Sequence, residues 1–300
     1  RPAQSSQALA HFMQQQPPAS VVLVTSLFAV AGKRPWTVYV RDGWLGNLFA
    51  VATPFVFFGD DVTVPAVRAA VENVRPRDSG TLFVTKKYDE LPCHQFITTS
   101  WARTAHLDRN RKHSYQTMCL WHQKIFYQRE VAAASQEGTF TFWVDAGGFR
   151  FSSLNFSAWP NREVVQTIPA DRLIMPLHVP LDSDALAWPR AYLEDTTKRP
   201  LANASAWVAA FFADHIYMSA QMYGGSRAAV LGYCSRYAEV FKQMVNRSIA
   251  VPTECSIMTY IALLHPETVA LVLPPTNADR MCRPTLYSKQ HKSDLTTSRW

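Results

Sequence analysis

Short apolar runs that alternate with segments of helical character most constrain the fold of this chain. In its first half the runs are continuous and rich in β-branched and aromatic residues, which is typical of strands buried on both faces: Val21–Thr25, Pro54–Phe58, Thr81–Val84 and Phe140–Val144. Helical patterns occupy the intervals, at residues 35–48, 64–73 and 115–135. This alternation predicts an α/β fold with a mostly parallel, twisted sheet flanked by helices.

The second half predicts further elements and three divisions of the chain. Helices are expected at 227–245 and 253–264, and strands at 169–180 and 269–273, with a strand-rich stretch at 206–218 and a long loop or lid at 182–205. Residues 1–18 are polar and Pro-rich, and we expect a linker or stem remnant there. Residues 19–276 would form one catalytic domain, followed by a basic tail at 277–300.

Composition limits the class of function. The 300 residues are 48% hydrophobic and 18% charged, which suits a folded chain with a sizeable core. The formal charge of +7 is spread along the chain, with no stripe of arginines interleaved with aromatic residues. This pattern favours an anionic small ligand or an acidic surface, and a nucleic-acid-associated protein stays as a lesser alternative.

Several features favour the lumen of the secretory pathway, Golgi or ER. The sequence contains no run of about 18 apolar residues, which is the length needed to span a membrane. The chain opens without Met on a Pro- and Gln-rich stretch, and glycosylation sequons begin at Asn155, Asn203 and Asn246. We therefore expect the soluble part of a membrane-anchored protein, which would touch the membrane only through an anchor outside this sequence.

The run ending at Asp145 carries the main chemical signal. Phe140, Phe142 and Val144 alternate with Trp143 and Asp145, so Trp143 and Asp145 share one face of the strand. The carboxyl end of a buried strand is where α/β folds present ligands, and Gly147 allows close backbone approach. Asp145 is thus a candidate ligand of Mn²⁺ or Mg²⁺ bridging a nucleotide diphosphate. The alternative is an Asp that caps a turn.

Two later motifs fit the same kind of site. Gly224, Gly225 and Ser226 precede a helix, where backbone amides could bind a sugar, or Ser226 could simply cap that helix. Glu254 lies in the first turn of another helix, whose dipole holds a carboxylate ionised. It could act as general base towards an acceptor hydroxyl, could orient the acceptor, or could only complement the dipole.

Two basic side chains are further candidates. Lys124 precedes the Asp145 strand on a helix and could reach a phosphate, although such a lysine is usually solvated. His291, in the basic tail, is a candidate metal ligand, although a tail histidine is usually a surface residue. The motifs of P-loop enzymes, zinc proteases and serine hydrolases do not occur in the sequence.

Together these motifs resemble the HtrL/YibB-type family of glycosyltransferases, which are similar to GT-A enzymes. The resemblance covers most of residues 20–273, and its matching segments are Val24–Phe28, Tyr115–Lys124, Phe142–Gly147 with Phe149 and Arg150, Phe211–Ser226, and Glu254 with His265 and Pro266. Two positions depart from the family pattern. Gly147 stands at the second acidic place, and Cys255 follows the acid where Gln is more usual.

The resemblance implies a single GT-A-like (nucleotide-diphospho-sugar transferase) domain. Asp145 would be the shortened counterpart of an Asp-x-Asp metal motif. For our part, we expect the first strand and helix, with Thr25, to hold base and ribose, and Lys124, Trp143 and Gly147 to bind the donor. Gly224, Gly225 and Glu254 would face the acceptor.

The predicted function is metal-assisted glycosyl transfer. A hexose or pentose would move from a nucleotide sugar, with a UDP-sugar as first candidate, to a hydroxyl of a glycan or glycoconjugate. The alternative on the same fold is a catalytically degenerate carbohydrate-binding module.

Overall fold

One seven-stranded sheet organises the chain in the computed structural model, which describes residues 2–30, 34–75, 79–95, 114–150, 159–177, 218–246 and 253–272. The strands are β1 (Val21–Leu27), β2 (Phe55–Gly59), β3 (Thr81–Thr85), β4 (Phe140–Val144), β5 (Leu173–Pro176), β6 (Met222–Ser226) and β7 (Val269–Val272). They lie in the order β3-β2-β1-β4-β6-β5-β7, with β6 alone antiparallel to its neighbours. The predicted mostly parallel α/β fold is confirmed.

Helices cover both faces of this sheet. In the described residues they are α1 (Pro2–Gln14), α2 (Thr37–Arg41), α3 (Trp44–Phe49), α4 (Thr63–Val71), α5 (Pro92–Gln95), α6 (Tyr115–Ala134), α7 (Arg162–Gln166), α8 (Arg227–Asn246) and α9 (Glu254–Leu264), with single 3₁₀ turns at Tyr88–Glu90 and Pro266–Thr268. One apolar cluster joins α1, α5, α6, α8 and α9 to a first face of the sheet, and another joins α3, α4 and α7 to the second. Alternate residues of β1 to β6 enter the two clusters, as the strand period requires.

The beginning of the chain corrects the sequence interpretation. Residues 2–14 form helix α1 rather than part of a linker. Leu9 and Met13 lie one turn apart and are fully buried in the first cluster, and Phe12 packs beside them. The helix forms because this apolar stripe finds a partner in the body of the protein, which local polarity does not reveal.

Most other predicted elements occur where the pattern indicated. The helices at 115–135, 227–245 and 253–264 and the strands at 21–25, 81–84 and 269–273 are all present within a few residues. The lid at 182–205, the tail at 277–300, the sequons at Asn155 and Asn203, and residues 206–217 lie outside the described residues. Within the ranges described, no helix combines the length and apolar character needed to cross a membrane.

The strand order reverses direction beside β1. The chain passes from β1 outward to β2 and β3, then returns to place β4 on the other side of β1. In open α/β sheets, ligands bind outside the carboxyl ends of the strands at such a switch point. The topology therefore directs attention to the end of β1, at Leu27, and the end of β4, at Val144.

The Gly pair that was expected at a ligand-binding turn lies instead inside β6. Gly224 is opposite Phe142 of β4, and a Cβ atom on Gly224 would lie 2.6 Å from the Cα of Phe142 and overlap the carbonyl oxygen of Thr141. The missing side chain therefore allows the backbones of β4 and β6 to pair closely.

This packing predicts opposite effects for two Gly→Ala changes. Gly224→Ala should lower the free energy of unfolding by about 3 kcal/mol, since the methyl group has to push two strands apart. Gly232→Ala is the matched control, because Gly232 lies in α8 with open space around its Cα. It should raise the free energy of unfolding by up to about 1 kcal/mol. Urea denaturation measures both, and an unaltered midpoint for Gly224→Ala would contradict the described pairing.

Candidate active site at the carboxyl end of β4

Asp145 directly follows strand β4, at the carboxyl end of the strand and beside the switch point. The Asp145 backbone N–H donates to the carbonyl of Gln221 at 2.8 Å, and the N–H of Gly148 donates to the Asp145 carbonyl at 2.8 Å, which forms a tight turn. As predicted, Asp145 follows Trp143 on the first face, and the indole Nε1 of Trp143 donates to Asp145 Oδ1 at 2.7 Å. The Asp145 side chain keeps 29% of its surface exposed.

Lys124 links Asp145 to a second carboxylate. Its ammonium nitrogen lies 2.8 Å from Asp145 Oδ1 and 2.5 Å from Glu254 Oε1, and it also reaches the carbonyl of Ala220 at 3.4 Å. The Lys124 side chain is 8% exposed. The usual expectation that a helix lysine is solvated is thus wrong here. Helix α6 packs directly on the sheet, which places the Lys124 side chain between two acids.

Glu254 begins α9, as the sequence predicted, and its side chain is 6% exposed. Burying a carboxylate at a helix amino terminus is tolerated because the dipole and an ammonium group both offset the charge. Asp145, Lys124 and Glu254 form what we call the carboxylate–lysine triad.

The triad is electrostatically coupled. Desolvation alone would lower the pKa of Lys124, but Asp145 and Glu254 outweigh it and raise that pKa above its usual value. Burial raises the pKa of Asp145, while the Lys124 charge opposes this increase. The ammonium is therefore retained, and the three groups together carry one net negative charge when both acids are ionised.

A second group of side chains surrounds the turn after Asp145. A Cβ atom on Gly147 would lie 3.0 Å from Cε1 of Tyr39, so Gly147 leaves the space in which Tyr39 packs. The Tyr39 ring meets the Trp44 ring edge-on, with centroids 5.3 Å apart. Arg150 donates from Nε to the Gly147 carbonyl at 2.9 Å. Burial, followed by the Asp145 charge, raises the pKa of Tyr39.

Sequence reasoning did not single out Tyr39 or Trp44. The available signal was the aromatic-rich segment 35–48, which directly follows β1 and therefore starts at the same edge of the sheet as Asp145.

Three predicted residues lie away from this edge. Because β4 and β6 are antiparallel, Ser226 pairs with Phe140, five residues before Asp145, which corresponds to about 16 Å along the strand. Gly224 and Gly225 fall between these ends. Ser226 accepts from the N–H of Ala229 at 3.1 Å and donates to the carbonyl of Ala170, so it serves as the helix cap that was its alternative interpretation.

Thr25 lies on the opposite face of β1 from Val24 and is fully buried in the sheet. Its hydroxyl has no hydrogen-bond partner within the described ranges. The half-buried neighbour Ser26 comes closer to the predicted role, since continuing the pairing of Val24 with Trp143 brings Ser26 level with Asp145 on the same face. His291 lies outside the described residues.

Within the described residues, the triad region by itself offers few ligands to a divalent cation, and it would hold one together with a bound diphosphate. No cluster of three or more His, Cys, Asp or Glu side chains occurs in the described part of the chain. Trp143 and Lys124 both contact Oδ1 of the Asp145 carboxylate. Within the described ranges Oδ2 has no partner, so it can bind a cation. One carboxylate oxygen with phosphate oxygens and water suits Mg²⁺. Asp145 and a bound diphosphate are therefore chemically compatible with the cation.

No protein-family model and no curated protein sequence matches the chain, so its resemblance to the HtrL/YibB-type family stays a prediction. Among solved structures, it is similar to core-mannan synthase A from Aspergillus fumigatus in its Mn/GDP form, at 11% identity and a TM-score of 0.47 over 86% of this chain and 73% of that one. It is also similar to the mannosyltransferase Ktr4p from S. cerevisiae in complex with GDP, at 10% identity and a TM-score of 0.43 over 90% and 77%. Both TM-scores are below 0.5, so the function of this chain has to follow from its own geometry.

The triad predicts a strong effect for loss of its ammonium. Lys124→Met should lower the free energy of unfolding by about 3 kcal/mol, since the buried Glu254 and the partly exposed Asp145 would lose their shared partner. Lys86→Met is the matched control, because Lys86 forms a 2.7 Å ion pair with Glu130 in a more exposed setting, and it should cost about 0–1 kcal/mol. Equal effects in urea denaturation would contradict a buried, coupled triad.

Proposed function

We propose that this protein is a metal-assisted glycosyltransferase of GT-A-like fold that uses a nucleotide-sugar donor, with a UDP-sugar as first candidate. The observation that carries this proposal is Asp145, a partly exposed carboxylate held by Trp143 and Lys124 at the switch point of an α/β sheet. A carboxylate so placed can bind the cation of a nucleotide diphosphate. The resemblance of the Trp143–Gly147 motif to the HtrL/YibB-type family supports the same proposal.

The reaction replaces one glycosidic bond with another. The bond between the anomeric carbon and the donor diphosphate breaks, and the nucleoside diphosphate departs with that electron pair. A bond forms between the anomeric carbon and the acceptor oxygen, whose proton is transferred to a base. The site must therefore stabilise a developing anion and accept a proton.

Asp145 and Lys124 serve the leaving group. Asp145 Oδ2 would hold Mn²⁺ or Mg²⁺, which when bound neutralises charge that develops on the diphosphate. The ammonium of Lys124 contacts both carboxylates and the carbonyl of Ala220, so it is not free to bind a phosphate. Its role is to fix the position of Asp145 and to keep two neighbouring carboxylates compatible with each other.

Glu254 serves the acceptor side of the proposed site. In an inverting reaction Glu254 would accept the proton of the acceptor hydroxyl, and in a retaining reaction it would orient the acceptor. Both roles use a carboxylate anchored by Lys124 at the start of α9. The acceptor is a hydroxyl of a glycan or glycoconjugate.

Replacing Asp145 tests this proposal. Asp145→Asn should reduce sugar transfer by about 1,000-fold or more, because the amide is a poor ligand for a divalent cation. Asp61→Asn is the matched control, since Asp61 is exposed just beyond β2, and it should retain wild-type rates. The assay follows nucleoside diphosphate release across a panel of nucleotide sugars, with circular dichroism to verify folding.

Persistent transfer by folded Asp145→Asn would contradict the proposal. Wild-type protein that binds donors and neither transfers nor hydrolyses them would instead be the catalytically degenerate carbohydrate-binding module.

Chelation supplies an independent prediction. Since the described residues offer one carboxylate oxygen to the cation, the cation should exchange readily and transfer should cease in excess EDTA. Added Mn²⁺ should restore the rate. Undiminished transfer in EDTA, with metal content checked by elemental analysis, would show that the cation has no part in the reaction.

A further inference from the structure

We propose that Arg34 and Arg150 form a binding site for paired phosphate groups that works without a divalent cation. This proposal rests on the proposed function, because it assigns the residues that would hold the donor's diphosphate. We call these two residues with Trp44 the arginine pair site.

The two arginines come from the loops that follow the two strands of the switch point. Arg34 lies between β1 and α2, and Arg150 lies beyond the turn that follows β4. Their guanidinium carbons lie 5.2 Å and 4.8 Å from the centroid of the same Trp44 ring. One indole therefore holds two cationic groups at the edge of the sheet where Asp145 lies.

Among the residues that the structure describes, no acid in direct contact compensates either positive charge. In the described part of the chain, neither guanidinium group makes an ion pair within 4.0 Å. Burial, followed by the charge of Arg34, lowers the pKa of Arg150, whereas Tyr39 and Asp145 oppose this change. Like charges held together in this way are unfavourable until an anion joins them.

The geometry suits phosphate. Arg150 uses Nε to donate to the Gly147 carbonyl, which fixes the plane of the guanidinium and leaves its two terminal nitrogens for a ligand. A planar fork of donors matches two phosphate oxygens, and we assign the neighbouring phosphate to the guanidinium group of Arg34. Trp44 and the backbone of Gly147 hold the arrangement before the ligand arrives.

This site separates binding from catalysis. Two guanidinium groups can offset the charge of a diphosphate by themselves, so a nucleoside diphosphate should bind in EDTA even though sugar transfer stops. The shared chemistry is a pair of adjacent phosphates, which could come from a nucleotide or from a free diphosphate.

Isothermal titration in EDTA tests the arginine pair site with UDP, GDP, pyrophosphate and uridine. Wild-type protein should bind UDP or GDP, and pyrophosphate, whereas uridine should bind at least about ten-fold more weakly than UDP. Arg34→Gln and Arg150→Gln should each weaken binding of the diphosphates about ten-fold. Arg150→Lys, which keeps the charge and loses the fork, should also weaken it.

Arg68→Gln is the matched control, because Arg68 also lies over an aromatic ring, 5.0 Å from the centroid of Phe83, on the exposed side of α4. This variant should bind as wild type does. Arg34 is exposed, so Arg34→Gln is a test that does not depend on a buried residue.

The outcomes distinguish this inference from the proposed function. Unchanged diphosphate affinity in both folded arginine variants, or absence of any diphosphate binding to wild type in EDTA, would overturn the arginine pair site, whether or not sugar is transferred. Weakened binding in both variants would support the site even if no donor were turned over, and in that case the proposed function alone would fail.

Discussion

The ammonium of Lys124, held between Asp145 and Glu254, is the interaction on which this site depends. It joins helix α6 and the end of the next strand, β4, to the start of helix α9, where Glu254 lies 130 residues beyond Lys124 in the chain. Two neighbouring carboxylates that share this little solvent would otherwise repel each other. With the lysine between them, Asp145 can face the carboxyl end of the sheet while Glu254 stays buried at a helix amino terminus.

The sheet explains why such a triad has access to ligands. Strands β1 and β4 are parallel neighbours whose chains continue in opposite directions across the sheet, and open α/β sheets bind ligands at such a switch point. The segment between β1 and β2 supplies Arg34, Tyr39 and Trp44, and the loop after β4 supplies Asp145 and Arg150. The antiparallel strand β6 completes the arrangement, because its close pairing with β4 through Gly224 brings the Gln221 carbonyl to the backbone of Asp145.

The sequence predicted the parts of this structure that depend on local pattern. Uninterrupted apolar runs indicated β1 and β4, and strand alternation placed Trp143 and Asp145 on one face. Glu254 could be assigned to a helix start. The sequence did not reveal contacts that require the assembled fold. Lys124 resembled a solvated helix residue, and the burial that makes it a bridge depends on how α6 packs.

The glycines show a second limit. The sequence suggested that Gly224 and Gly225 form a turn near a sugar. Glycine occurs both in such turns and in strands that another backbone approaches closely, so the local pattern does not distinguish the two. Only the antiparallel register reveals that Ser226 pairs with the first residue of β4, at the end of the strand that is remote from Asp145. Helix α1 was missed for a similar reason, since the burial of Leu9 and Met13 comes from tertiary packing.

A crystal structure of the protein with UDP and Mn²⁺ tests the central claim most directly. The anomalous signal of manganese should lie beside Asp145 Oδ2, with the diphosphate between that cation and the guanidinium group of Arg150, and Lys124 should still join Asp145 to Glu254. A nucleotide bound at another part of the sheet, with Asp145 contacting neither cation nor phosphate, would contradict the account.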